Sequence, residues 1–176
     1  LYSPLLHMPD GAGSTARIRI SPVALKDSEF DFVKDLHAHL LENQSAFAGK
    51  EFFLLRNKAR GGGIGFFEAG SFYPDFILWI LDGARQHIVF IEPHGLIHEG
   101  IASPKVQFCK VIKDIEERLG DEKVSLSSFI VSPTQFGSVQ RNFGFRSLEE
   151  FLEINILFMK NDSGYVGRLL EKACMH

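Results

Sequence analysis

In "SFYPDFILWILDGARQHIVFIEPHG", residues 71 to 95, two carboxylates and an imidazole stand at the ends of two apolar runs. Asp75 opens the first run, Glu92 closes the second, and His94 follows two places later; Pro74 and Pro93 stand beside the acids. Acids so placed can share a divalent cation if the runs pair as a hairpin. Taking "GARQ" as a four-residue loop pairs Asp82 with His87, sets Ile77 opposite Glu92 and Asp75 opposite His94, and gathers Asp75, Glu92 and His94 at the open end of one face. Diagonal neighbours there lie ~7–8 Å apart at the backbone, within reach of one metal ion held between two carboxylates. A loop longer or shorter by one residue would send Glu92 to the opposite face. The plainer alternative is that hairpin ends carry acids because they meet solvent.

The rest of the chain must hold that hairpin. Apolar residues at Val33, Leu36 and Leu40, widened by Phe32 and Leu41, predict a helix over residues 26–43, with Asp27 or Ser28 as its cap. "EFFLLRN" reads as a strand, and so do "FILWIL" and "HIVFIE". These last two are apolar at nearly every position, as strands buried on both faces are. "PKVQFCKVIKDIEERLG" repeats apolar residues at Phe108, Ile112, Ile115 and Leu119, starts with Ser103 and Pro104, and stops at Gly120, which is a helix with both of its ends marked. "VSLSSFIVS" is a further strand, "SLEEFLE" a short helix, "NILFM" a last strand and "GYVGRLLEKA" a terminal helix. This order predicts an α/β fold, a mixed central sheet flanked by helices on both faces. Residues 1–21 hold Pro4, Pro9 and "DGAGS" and read as an N-terminal arm with one short strand at "ARIRI"; the domain proper is residues 22–176.

Composition narrows the function classes. With 176 residues, 45% of them apolar, the chain can close one core, and its longest apolar runs are too short to span a membrane. The chain starts at Leu1, and the expectation is a fragment of something longer, in the cytoplasm, where two cysteines without metal-ligand spacing stay reduced. A net charge of −3 argues against general affinity for nucleic acid and leaves only a local site. The local candidate is "LLRNKARGGGIGFF", where Arg56, Lys58 and Arg60 run into four glycines with no acid among them; taken alone, it reads as a solvated loop. The glycines lack the GK[ST] of a phosphate-binding loop, and no serine stands in a nucleophile motif.

"YPD", an apolar strand, a turn, and an apolar strand ending "IEPHG" together resemble the PD-(D/E)XK nuclease pattern. More narrowly, "LLRNKARGGGIGFFEAGSFYPDFILWILDG", "IVFIEPHGL" and "PKVQFCKVIKDIEERLG" are similar to the nuclease-like C-terminal region of bacterial DEAD/DEAH-box helicases related to type III restriction subunits, over about residues 22 to 160. The resemblance implies a restriction-endonuclease-like fold and a metal-dependent DNA endonuclease. Asp75 and Glu92 would be metal-binding carboxylates, and the Pro93 carbonyl a further ligand. Mg²⁺, or alternatively Mn²⁺, would be the cofactor. Glu29 matches an acid that the superfamily often adds to the site, the alternative being an exposed first-turn helix acid. Lys105 and Gln107 match a position often given to a polar residue facing the site, the alternative being a solvated helix face. Arg56, Lys58 and Arg60 would clamp DNA phosphates. The implied partners are DNA and the helicase/ATPase region of the same full-length chain. His94 departs from the pattern, which usually has a lysine there, a permanent cation where histidine is mostly neutral at pH 7. A nuclease-fold module without turnover, binding DNA or docking a partner, is therefore the second reading, and a purely structural partner-binding domain the third.

Overall fold

The computed structural model describes residues 24–57, 63–66, 70 and 72–175. The expected arm, its "ARIRI" strand and residues 58–62 of the glycine-rich loop lie outside these.

Helix α1 (Asp27–Glu42) buries Phe32, Val33 and Leu36 and half-buries Leu40, but Leu41, expected to widen the stripe, is exposed. Its cap is neither Asp27 nor Ser28. The cap residue is Lys26, whose backbone N–H donates to the Glu29 carboxylate at 3.3 Å, so a side chain one turn inside the helix satisfies a donor that would otherwise be orphaned. A short 3₁₀ turn (Gln44–Phe47) leads into β1 (Lys50–Arg56), which pairs antiparallel with β2 (Phe76–Asp82), itself antiparallel to β3 (Arg85–Pro93).

The hairpin register differs from expectation. Asp82 pairs with Arg85, not His87, so Gly83 and Ala84 form a two-residue turn. Gly83 has φ 58°, the left-handed conformation that tight hairpin turns require and glycine adopts without steric cost. A shift of two residues preserves the side-chain faces. It changes who meets whom: Ile77 faces Phe90 and Phe76 faces Ile91, so the next pair outward is Asp75 and Glu92, and His94 moves past the end.

Helix α2 (Pro104–Leu119) then crosses over to β4 (Val124–Ser132), parallel to β3, as a parallel pair demands of its connection. Pro104 opens the helix and Gly120 ends it at φ 64°. Helix α3 (Phe136–Phe143) was not anticipated; α4 (Leu148–Glu153), β5 (Ile156–Phe158), parallel to β4, and α5 (Tyr165–Ala173) complete the fold. The five strands lie in the order β1-β2-β3-β4-β5.

The chain is thus α/β, with one mixed sheet flanked by helices. Phe76, Leu78, Ile80, Val89 and Ile91 point to the face covered by α1 and α5. The opposite face carries Ile77, Phe90 and Leu126 beneath α2, and Ile130, Ile156 and Phe158 beneath α3 and α4. This second face is incompletely covered, so β2 is not buried on both sides as its apolar sequence suggested: Trp79 is 41% exposed. Cys109 and Cys174 are free thiols. Among the described residues, no helix is long and apolar enough to cross a membrane.

Phe108 of α2 anchors the second face. Its ring lies 4.6 Å from that of Phe66, 5.0 Å from that of Phe72 and 6.2 Å from that of Phe90, centroid to centroid. Phe108→Ala is expected to destabilise the fold by about 3–5 kcal/mol, because the cavity cannot close against three other rings. Urea unfolding checks this; a loss under about 1 kcal/mol would mean the cluster repacks freely.

Candidate functional site

Asp75 directly precedes β2, and its backbone is held from both sides. Its N–H donates to Oε2 of Glu92 at 3.2 Å, and its carbonyl accepts the Asn57 N–H at 2.8 Å. Asn57, the first residue after β1, also grips its surroundings with its side chain. Nδ2 donates to the carbonyls of Ile64 and Pro74, each at 2.8 Å, and Oδ1 accepts the Ile64 N–H at 2.9 Å. One amide thereby joins the two ends of the glycine-rich loop to the residue before Asp75.

Glu92 is only 6% exposed, and both of its oxygens are engaged. Opposite the Asp75 N–H, Oε1 takes the Lys105 ammonium at 2.7 Å. Lys105, in the first turn of α2, also lies 3.3 Å from Nδ1 and 3.4 Å from Nε2 of His94, and 6.0 Å above the Phe72 ring. The His94 N–H continues the parallel ladder to the Val131 carbonyl, which fixes the residue beyond the end of β3. Its Nε2 is 3.2 Å from Glu99, whose carboxyl is held below the usual range chiefly by the Ser103 hydroxyl and also by His94 and Lys105.

The third acid, Glu29, is 2% exposed and so is not the solvated helix acid that was its alternative. Arg56 Nη2 donates to it at 2.9 Å and to the Ala24 carbonyl at 3.2 Å. The described contacts of Arg56 make it a counter-ion to the buried Glu29. Lys58 and Arg60 lie outside the described residues. Burial, then Glu92, then Glu29 push the Asp75 carboxyl up to about 7, with Lys26 and Lys105 opposing only in part. Asp75 and Glu92 side by side at the hairpin end, with Glu29 adding to the negative potential, make the Asp75 carboxylate costly to ionise.

Two of the expected positions have polar partners of their own. The Pro93 carbonyl accepts a long hydrogen bond, 3.4 Å, from the Ser28 hydroxyl. Gln107 donates its side-chain amide to the Ile101 carbonyl, bracing the loop before α2 and not addressing the acids. Asp75, Glu92, His94, Lys105 and Glu29 are thus gathered. Glu99 and Asn57 belong with them but were passed over: Glu99 was visible as an acid in "HGLIHEG", yet no periodicity says which loop residue turns toward His94.

Among the described residues, no group of three or more His, Cys, Asp or Glu is disposed to hold a metal ion. The donor chemistry of Asp75 and Glu92 nevertheless suits Mg²⁺, which usually binds through one or two carboxylates and keeps several waters. No protein-family model, curated protein or solved structure matches the chain.

Proposed function

We propose that this chain is a restriction-endonuclease-like, PD-(D/E)XK-type domain that hydrolyses DNA phosphodiesters with Mg²⁺ or Mn²⁺, as part of a larger protein that carries a helicase/ATPase region. The observation that carries the reading is the pairing of Asp75 with Glu92 at the end of the hairpin, with an ammonium bound to the second acid. In this reading Asp75 and Glu92 hold the metal. When bound, the ion supplies activation of a water and neutralisation of charge on the phosphate.

The remaining steps belong to side chains of the chain. Lys105 supplies, from α2, the permanent cation that His94 does not supply from β3, beside Glu92 where negative charge builds up in the reaction. Glu99 orients the His94 ring beside Glu92 and Lys105, where the imidazole would serve to move a proton. Glu29, held back by its ion pair with Arg56, adds to the negative potential around Asp75 from the side of α1.

The test is cleavage of plasmid and short DNA by the purified chain. Cutting is expected with Mg²⁺ or Mn²⁺ and absent with a chelator. No cutting with either metal from about pH 6 to about pH 9, by a chain that still binds DNA, would favour the second reading. That is a nuclease-fold module without turnover, to which His94 in place of lysine and the lack of a three-ligand cluster among the described residues lend support.

A further inference from the structure

On the face that carries Asp75 and Glu92, α2 covers β3 and β4 but leaves β1 and part of β2 open. Phe53 and Trp79 are directly opposite one another in the β1–β2 register, and Leu55 is the next outward-facing residue of β1 toward Asp75. They are 53%, 41% and 58% exposed. The indole N–H of Trp79 donates to Oε1 of Gln86 at 3.1 Å, tying the ring to a side chain of the neighbouring strand. The result is a two-ring apolar strip that ends at the residues holding Asp75.

We propose that Phe53 and Trp79 form a stacking platform for the bases of a single-stranded DNA segment that leads into the Asp75 and Glu92 site. The proposal rests on the phosphodiesterase reading and gives it a strandedness. Three features favour this occupant. First, the exposed apolar area of the three side chains is on the order of 300 Å². That is well short of the ~800 Å² per partner of a stable protein interface, yet matches two or three bases. Second, the strip adjoins a site read as acting on phosphodiesters, since Leu55 stands opposite Ile77, two residues from Asp75. Third, an open aromatic face stacks only on bases that are themselves unstacked, which a duplex interior does not offer.

Trp79 is the chain's one tryptophan, so its fluorescence reports the platform directly. The experiment titrates the 176-residue chain, in a chelator so that nothing is cut, with single-stranded and duplex DNA of about 12 nucleotides. Tryptophan emission and DNA anisotropy are recorded together. Saturable quenching by the single strand is expected, with tighter binding than to duplex at equal salt. Phe53→Ala and Phe53→Leu should each weaken single-strand binding about tenfold, while Phe53→Tyr restores it. Matched thermal melts confirm that the variants fold.

The proposal is overturned by a lack of quenching, by Phe53→Ala binding like the parent, or by Phe53→Leu binding like the parent, which would mean apolar contact without stacking. It is equally overturned if the parent self-associates in sedimentation, Phe53→Ala abolishes this, and DNA binding is unaffected. The two readings fail separately. Quenching and Phe53-dependent binding without cleavage in either metal keep the platform and remove the nuclease; cleavage indifferent to Phe53→Ala does the reverse.

Discussion

Asp75→Asn is expected to lower metal-dependent cleavage by on the order of 10³-fold or more, because the amide has no charge with which to hold a dication. It should at the same time make the folded chain more stable. Burial, Glu92 and Glu29 raise the Asp75 carboxyl from 3.8 to about 7, so the native state takes up a proton that the unfolded chain releases. The raised value destabilises the fold above about pH 7, and the penalty fades as pH falls toward the unfolded value. The stabilisation by Asp75→Asn should therefore be largest near pH 8, on the order of 2 kcal/mol after allowance for solvent screening, and nearly gone near pH 4. Thermal melts at the two pH values, run beside cleavage assays, separate the effects. A variant less stable than the parent at both would show that Asp75 is a structural anchor and not a strained ligand.

The second large effect is expected at Lys105. Lys105→Met keeps most of the stem that passes over Phe72 and removes the charge, leaving Glu92 buried without its cation. Cleavage should fall about 100-fold and stability by about 2 kcal/mol. If the ammonium matters for its charge beside Glu92, and not for its place in α2, adding His94→Lys to Lys105→Met should recover much of both losses. Single-turnover rates and urea midpoints for the parent, both single variants and the double variant form the cycle. Simple addition of the two single effects would refute the exchange of roles.

Much of this was legible in the sequence because the signals were local and periodic. The limits of α2 follow from Pro104 and Gly120, and the convergence of Asp75 with Glu92 on one face needs only the parity of the hairpin. Reading "GARQ" as the loop overstates the turn by two residues, and an even error keeps the faces, so Asp75 and Glu92 still meet. The error did hide the closest pairing, since a four-residue loop sets His94 opposite Asp75. Helix α3 escaped notice because Gly137, Ser138 and Asn142 are weak helix formers and its apolar positions, Phe136, Val139 and Phe143, give barely two turns of periodicity. The pairing of Arg56 with Glu29 and that of His94 with Glu99 depend on contacts between distant or loop segments, about which neither spacing nor composition speaks. The exposure of Trp79 has the same origin: the pattern shows that a strand is apolar, not how far a helix reaches across it.

The grip of Asn57 on Ile64 and Pro74 bears on how this site could be altered. Because one amide ties Ile64 to Asn57 and Pro74 beside Asp75, sequence can be changed between positions 57 and 64 without moving the site, whereas Phe66 and Phe72, packed on Phe108, must stay; the exchangeable segment is 58–63. Its length and composition are then a matter of chain entropy, for which each doubling costs only about 0.6 kcal/mol. In evolution or in the laboratory this is a natural position for inserting or exchanging sequence, a socket where what the domain touches can be rewritten while Asp75 stays in place.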